Sequence, residues 1–153
     1  MMKLCHRSLN NLVGVHPDLV RVVERVAAIT TLDFKIIEGL RTRERQEELV
    51  AIGASRTMNG RHLTGHAVDA AVFVGGEVRW DWPLYYTLAG FFRQAALDCD
   101  VSLVWGAVWD RKLNEISEDI HEEVLEYSDR CRAARIKPLL DGPHYELHRK
   151  AYP

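Results

Sequence analysis

Cysteine is scarce in this chain. Cys5, Cys99 and Cys131 are odd in number, far apart and outside any Cys-x-x-Cys pattern, which excludes a disulfide framework and a thiolate zinc site. An excess of one charge is missing too. Lys and Arg number 20 against 22 Asp and Glu, a formal charge of −2, so there is no basic surface of the kind that grips nucleic acid, and none is expected as a partner. No segment approaches the ~20 consecutive apolar residues of a membrane helix. The first twenty residues, MMKLCHRSLNNLVGVHPDLV, lack the continuous apolar stretch and small-residue cleavage site of a secretory signal. The expectation is a cytoplasmic product with no membrane partner. Repeats, low-complexity segments and linkers are absent as well. At 153 residues and 47% hydrophobic content, the chain reads as one domain, 1–153, with one core.

What is present is a mixture of helical and strand patterns. HPDLVRVVERVAAIT repeats Leu19, Val22, Val23 and Val26 at helical spacing, with Pro17 in the first turn. DFKIIEGL is a short β-rich run, followed by the charged helix RTRERQEELVAIG, which Gly53 ends. AVDAAVFVGGEVRW predicts a hairpin about Gly75-Gly76, since both turn positions tolerate positive φ. The segment 81–100 predicts a buried helix with Asp81 as N-cap and Leu84, Leu88, Phe91, Phe92 and Ala95 inward. VSLVW is a further strand. SEDIHEEVLEYSDRCRAARIK opens with acids and closes with bases, matching a helix dipole, before Pro138, and DGPHYEL is a turn into a last strand.

The segment GRHLTGHAVDAAVFV sets an ionisable Asp69 against small and β-branched apolar residues. A carboxylate entering a core is costly unless a cation receives it. His62 and Asp69 stand seven positions apart, an odd spacing that places them on opposite faces of one uninterrupted strand. A bend at Gly65 brings an imidazole and a carboxylate together on one cation. Zinc accepts that ligand set, and a catalytic zinc takes three protein ligands and leaves a position for water. His144, after the rigid Gly-Pro turn of DGPHYEL, offers the third ligand, and Asp141 sits three residues before it, placed to face the open position as a general base.

The pair HLTGHAVD and, far downstream, DGPH resembles the M15-type zinc peptidases. These include D-Ala-D-Ala carboxypeptidases and dipeptidases and the L-alanyl-D-glutamate peptidases used as phage endolysins. The resemblance runs from about EGLRTRERQ to DGPHYEL. It implies one zinc ion on His62, Asp69 and His144. It further implies Asp141 as the residue that activates water and then protonates the leaving amine, Arg41 as a catalytic and substrate-binding arginine stabilising the oxyanion, and Gln46 in a supporting, substrate-binding role. WGAVWD is similar to the family's Trp-Gly-Gly-Asp-Trp-type stretch, which makes Trp105 and Trp109 expected cleft wall. Gly60 stands where family members often carry Ser, and Asp110 has no assigned role.

The implied fold is α+β, a small mainly antiparallel sheet flanked by helices, of the kind shared by Hedgehog signalling domains and DD-peptidases. The implied activity is zinc-dependent hydrolysis of peptidoglycan stem peptides by a monomer, at L-Ala-D-Glu first and D-Ala-D-Ala as the alternative. A cytoplasmic endolysin of this sort reaches the wall through a holin-like pore. A non-catalytic zinc-binding module is the alternative of another class, and His66 is the residue that would close its site as a fourth ligand. Outside that alternative His66 is read as structural, as are His6, His16, His121 and His148, and Glu38 and Glu146 are read as structural or supporting.

Overall fold

The computed structural model describes residues 2–55, 57–58 and 60–153. Five helices, α1 (His6–Asn11), α2 (Pro17–Ile29), α3 (Arg43–Ala51), α4 (Trp82–Cys99) and α5 (Ile120–Ala133), accompany strands β1 (Asp33–Glu38), β2 (Ala67–Val74), β3 (Glu77–Arg79), β4 (Leu103–Trp105) and β5 (His144–Leu147). The strands form one antiparallel sheet in the order β1-β2-β5-β4, with β3 hairpinned onto β2. The expected α+β class holds. No described helix is long and apolar enough to cross a membrane.

Alternation along the strands divides the sheet into a packed face and a site face. Val68, Ala70 and Val72 of β2, with Tyr145 and Leu147 of β5, join the core against α2 and α4. The opposite face carries Asp69, His144 and Glu146. Register then assembles the site: Glu38 pairs with Asp69 across β1-β2, and Asp69 pairs with His144 across β2-β5. Three ionisable side chains from distant parts of the chain therefore stand in one row.

Helix α2 buries the predicted stripe Leu19, Val22, Val23 and Val26, and the His16 ring caps it by accepting from the Asp18 N–H at 3.1 Å. The Gly75-Gly76 hairpin turns with φ of 59° and 83°, as a two-residue loop with two left-handed positions requires. Helix α4 departs from expectation. Its buried face is Tyr85, Leu88, Ala89, Phe92, Ala95 and Ala96, turned so that Leu84 and Phe91 lie only at its border. Tyr85 causes the turn, because its hydroxyl accepts from Val72 N–H at 3.1 Å and donates to Arg79 O at 2.7 Å. Asp81 holds the N-cap position without a side-chain capping bond and pairs with Arg79 instead.

Helix α1 has no amphipathic pattern to announce it. Buried Ser8 accepts from Ile36 N–H at 3.0 Å and Asn11 donates to Ile36 O at 2.8 Å, so two polar side chains occupy backbone groups that edge strand β1 would otherwise expose.

Candidate metal centre and substrate cleft

Each of the three expected ligands is placed by a different local device. His62 lies on a single-turn 3-10 helix, Arg61–Thr64, that Gly65 closes at φ 74°. A Cβ at position 65 would stand 2.3 Å from Gly14 O, so only glycine lets this turn lie against the loop between α1 and α2. Asp69 is the third residue of β2, and His144 opens β5 directly across from it. The three ligand atoms lie within 4.8 Å of one another, the one such metal-compatible group among the described residues.

The nitrogens are sorted by their second partners. His62 Nδ1 is 2.8 Å from Gly39 O, which makes Nδ1 the protonated donor and turns the lone pair of Nε2 to the cluster. That Nε2 is buried without a hydrogen-bond partner among the described residues, although Asp69 Oδ1 stands 3.3 Å away. His144 is held the other way round: Nε2 is 2.8 Å from Glu146 Oε1, and Nδ1 is 3.2 Å from Asp69 Oδ1. Metal-binding histidines are held in this manner, one nitrogen toward the ion and the other on a carbonyl or carboxylate. Two imidazole nitrogens, a carboxylate oxygen and an orphaned lone pair fit zinc.

The electrostatics agree with a site built for a cation. Burial works to raise the Asp69 pKa, but the facing His144 and His62 imidazoles overcome it and hold the carboxyl well below the usual carboxylate range. Burial also opposes charge on His144, yet Asp69 and Glu146 on either side push its pKa up to about 10. In the metal-free protein a proton therefore sits where an ion would bind. Asp141 moves in the opposite sense to Asp69: burial, then the nearby Asp69 charge, raises it above 3.8.

A cleft of 570 Å³ lies over the triad, and Arg41, Gln46, Gly60, Trp109, Asp141 and Arg149 are among its lining residues. Arg41 is 9% exposed and clamped, with Nε and Nη2 each 2.6 Å from a Glu38 carboxylate oxygen and Nη1 2.6 Å from Gln46 Oε1. Its Nη2 also lies 3.9 Å from Asp69 Oδ2. Trp109 covers His144, ring centres 5.0 Å apart, and donates to Leu139 O at 3.0 Å.

Known proteins bear on this arrangement in three ways. Residues 1–148 match the family model described as phage L-alanyl-D-glutamate peptidase. The chain belongs to that family. It is 29% identical over 149 residues to the L-alanyl-D-glutamate peptidase of Escherichia phage T5, covering 95% of this chain and 97% of that one. It is 35% identical over 80 residues to the L-alanyl-D-glutamate peptidase of Listeria phage A118, a match spanning 51% of this chain and 27% of that protein. The solved Serratia marcescens L-Ala D-Glu endopeptidase ChiX superposes with a TM-score of 0.75 at 37% identity, over 97% of this chain and 91% of that one.

Two expected cleft residues of this peptidase need correction. Trp105 is fully buried and does not line the cleft: it is the cross-strand partner of core Tyr145, and its Nε1 donates to Gly142 O at 2.8 Å. It supports the Asp141–His144 turn from behind. Gln46 does reach the cleft floor, but it is fully buried and both ends of its amide are committed, the oxygen to Arg41 and the nitrogen to Ser55 Oγ at 2.9 Å and to Thr57 O. It orients Arg41 and is not placed to bind substrate.

Other residues acquire roles here. Asp110 forms a two-pronged pair with Arg130 at 2.7 and 2.9 Å, tying the loop after β4 to α5. At Gly60 the atoms nearest an added Cβ belong to the Gln46 side chain at 3.7 to 3.9 Å, ordinary van der Waals contact, so a serine fits there. His66 bonds Thr64 Oγ1 at 2.7 Å and packs on His16; it is not in the metal group. Glu146 and Gly39 O were the orienting partners hardest to anticipate. Strand alternation from His144 carried the signal for Glu146, but nothing in the sequence marks a backbone carbonyl.

Proposed function

We propose that this peptidase cleaves the L-alanyl-D-glutamate bond of peptidoglycan stem peptides with one zinc ion on His62, Asp69 and His144. The observation that carries the metal assignment is the buried His62 Nε2, which faces Asp69 and His144 and has no hydrogen-bond partner among the described residues. The bond assignment is supported by the family and by its relatives, which are L-alanyl-D-glutamate peptidases.

A zinc ion held by His62, Asp69 and His144 would lower the pKa of a water and polarise a carbonyl. Asp141, with its raised pKa, accepts the proton as the water oxygen attacks the L-alanyl carbonyl carbon. Arg41, held by Glu38 and Gln46, has N–H groups left over to donate to the carbonyl oxygen as it takes up negative charge. Asp141 then delivers its proton to the departing D-glutamyl nitrogen as the C–N bond breaks. Trp109 shields the His144 side from solvent.

The test is mass spectrometry of purified peptidoglycan after incubation with the protein, with and without chelator. Chelator-sensitive opening at L-Ala-D-Glu is the expected result. Release of terminal D-alanine instead would assign the carboxypeptidase reaction.

A further inference from the structure

The turn from Asp141 to His144 has two tasks. Its last residue belongs to the metal group, and its first, the proposed base, lines the cleft above that group. Where the base stands relative to the ion therefore depends on how these four residues are held.

Each backbone carbonyl of the turn has a partner. Asp141 O accepts from His144 N–H at 3.1 Å, Pro143 O from Ala70 N–H of β2 at 2.9 Å, and His144 O from Gly106 N–H at 2.8 Å. The fourth, Gly142 O, depends on a side chain: the indole N–H of Trp105 donates to it at 2.8 Å. The His144 end is thus joined to backbone on both sides, by Ala70 and by Gly106 just after β4. The Asp141 end hangs from Gly106 O, which accepts from Asp141 N–H at 2.8 Å, and, one residue on, from Trp105.

Packing leaves this arrangement little room. A Cβ at Gly106 would stand 2.2 Å from Asp141 O, and one at Gly142 would stand 3.0 Å from the Trp82 ring. Glycine itself restrains its backbone least of all residues, so the bond on Gly142 O fixes the peptide that lies between base and ligand. Trp105 is fully buried and does not reach the cleft. Any part it has in the chemistry passes through the turn.

We propose that Trp105 is a positioning residue of the hydrolysis: its indole N–H, acting on Gly142 O, sets where the Asp141 carboxylate stands over the metal site. This rests on Asp141 being the base, and the experiment separates the two.

Trp105→Phe keeps a buried ring and removes the donor. With the zinc-loaded protein and a synthetic stem peptide, kcat is expected to fall roughly tenfold to a hundredfold, the cost of a displacement on the order of 1 Å at a reacting group. KM, and zinc affinity read by competition with a chromophoric chelator, should stay close to wild type. Because the loss acts through Asp141, it should vanish in an Asp141→Asn background, where the double variant turns over no more slowly than Asp141→Asn alone. Benzothienylalanine at position 105, which has the shape of tryptophan and sulfur in place of the N–H, should reproduce the fall and replaces the phenylalanine variant if that one does not fold. Wild-type kcat in either folded variant overturns the assignment. So does an equal fractional loss with and without the Asp141 carboxylate, which would make Trp105 a packing residue, and so does a fall in zinc affinity in step with kcat, which would put the effect on His144. If Asp141→Asn alone kept wild-type turnover, the base reading would fall and this assignment with it.

Discussion

The two walls of the cleft are built on opposite terms. On the β1 side every functional donor is tied down: Arg41 by two bonds to Glu38 and one to Gln46, Gln46 in turn by Ser55 and Thr57, and His62 by Gly39 O. On the β5 side the Asp141 carboxylate makes no hydrogen bond among the described residues. In the mechanism proposed above, groups that wait in one orientation are fixed by their neighbours, whereas the group proposed to gain and lose a proton is fixed through its backbone, where Asp141 N–H donates to Gly106 O at 2.8 Å.

The contrast is sharpest at Asp141. Asp141→Asn keeps the shape and removes the base, so turnover should fall about 10²- to 10⁴-fold, the usual worth of general acid–base catalysis. Zinc content, measured by atomic absorption, should not change. A variant that kept wild-type turnover would remove Asp141 from the chemistry.

On the opposite wall, Glu38→Gln should leave Arg41 present but poorly aimed. The expected loss is roughly tenfold to a hundredfold in kcat, less than for deleting an oxyanion donor outright, with zinc affinity close to wild type. If Glu38→Gln weakened zinc instead, the clamp would belong to the metal and not to Arg41.

Glu146 is the mirror test. Glu146→Ala should lower zinc affinity about 10- to 100-fold, the usual effect of removing a ligand's outer partner, and competition with a chromophoric chelator reads it directly. Undisturbed affinity would mean that His144 is oriented by Trp109 and the strand alone.

A gentler probe is pH. With its pKa raised from 6.5 to about 10 in the metal-free protein, His144 adds stability that is complete below the unfolded value and is lost as pH rises through about 10. Asp69, shifted the other way, adds stability that is present above 3.8 and is lost as pH falls through its depressed pKa. Zinc uptake near pH 7 should therefore expel about one proton per ion, measurable by calorimetry in buffers of different ionisation enthalpy. The smallest effect is reserved for Gly60→Ser, which the space beside Gln46 accommodates and which should alter activity by no more than a few-fold.

The convergence of His62, Asp69 and His144, with Asp141 in the same cleft, was legible because their spacing and residue types are rare in combination. The hairpin and the main helices were legible from period and caps. Trp105 and Trp109 were not separable, since two tryptophans four positions apart in WGAVWD do not say which faces inward. Pairing decides it: Trp105 stands opposite Tyr145, whose neighbour His144 takes the site face, so Tyr145 and Trp105 share the core. Gln46 was misread for a related reason, because burial of its amide depends on residues 55 and 57 folding back over α3. Helix α1 escaped notice because its main anchors are polar bonds to a strand 25 to 28 positions away.

The Asp69–His144 pairing carries one more consequence. Those residues are 75 positions apart and meet only through the β2-β5 ladder. A slip of one residue would set Asp69 opposite Tyr145 and turn the next ring of the core toward the ion. With zinc bound as proposed above, metal binding would proofread the strand register: a chain that had paired its sheet wrongly could not hold the ion, and one that held it would have joined its early and late halves correctly.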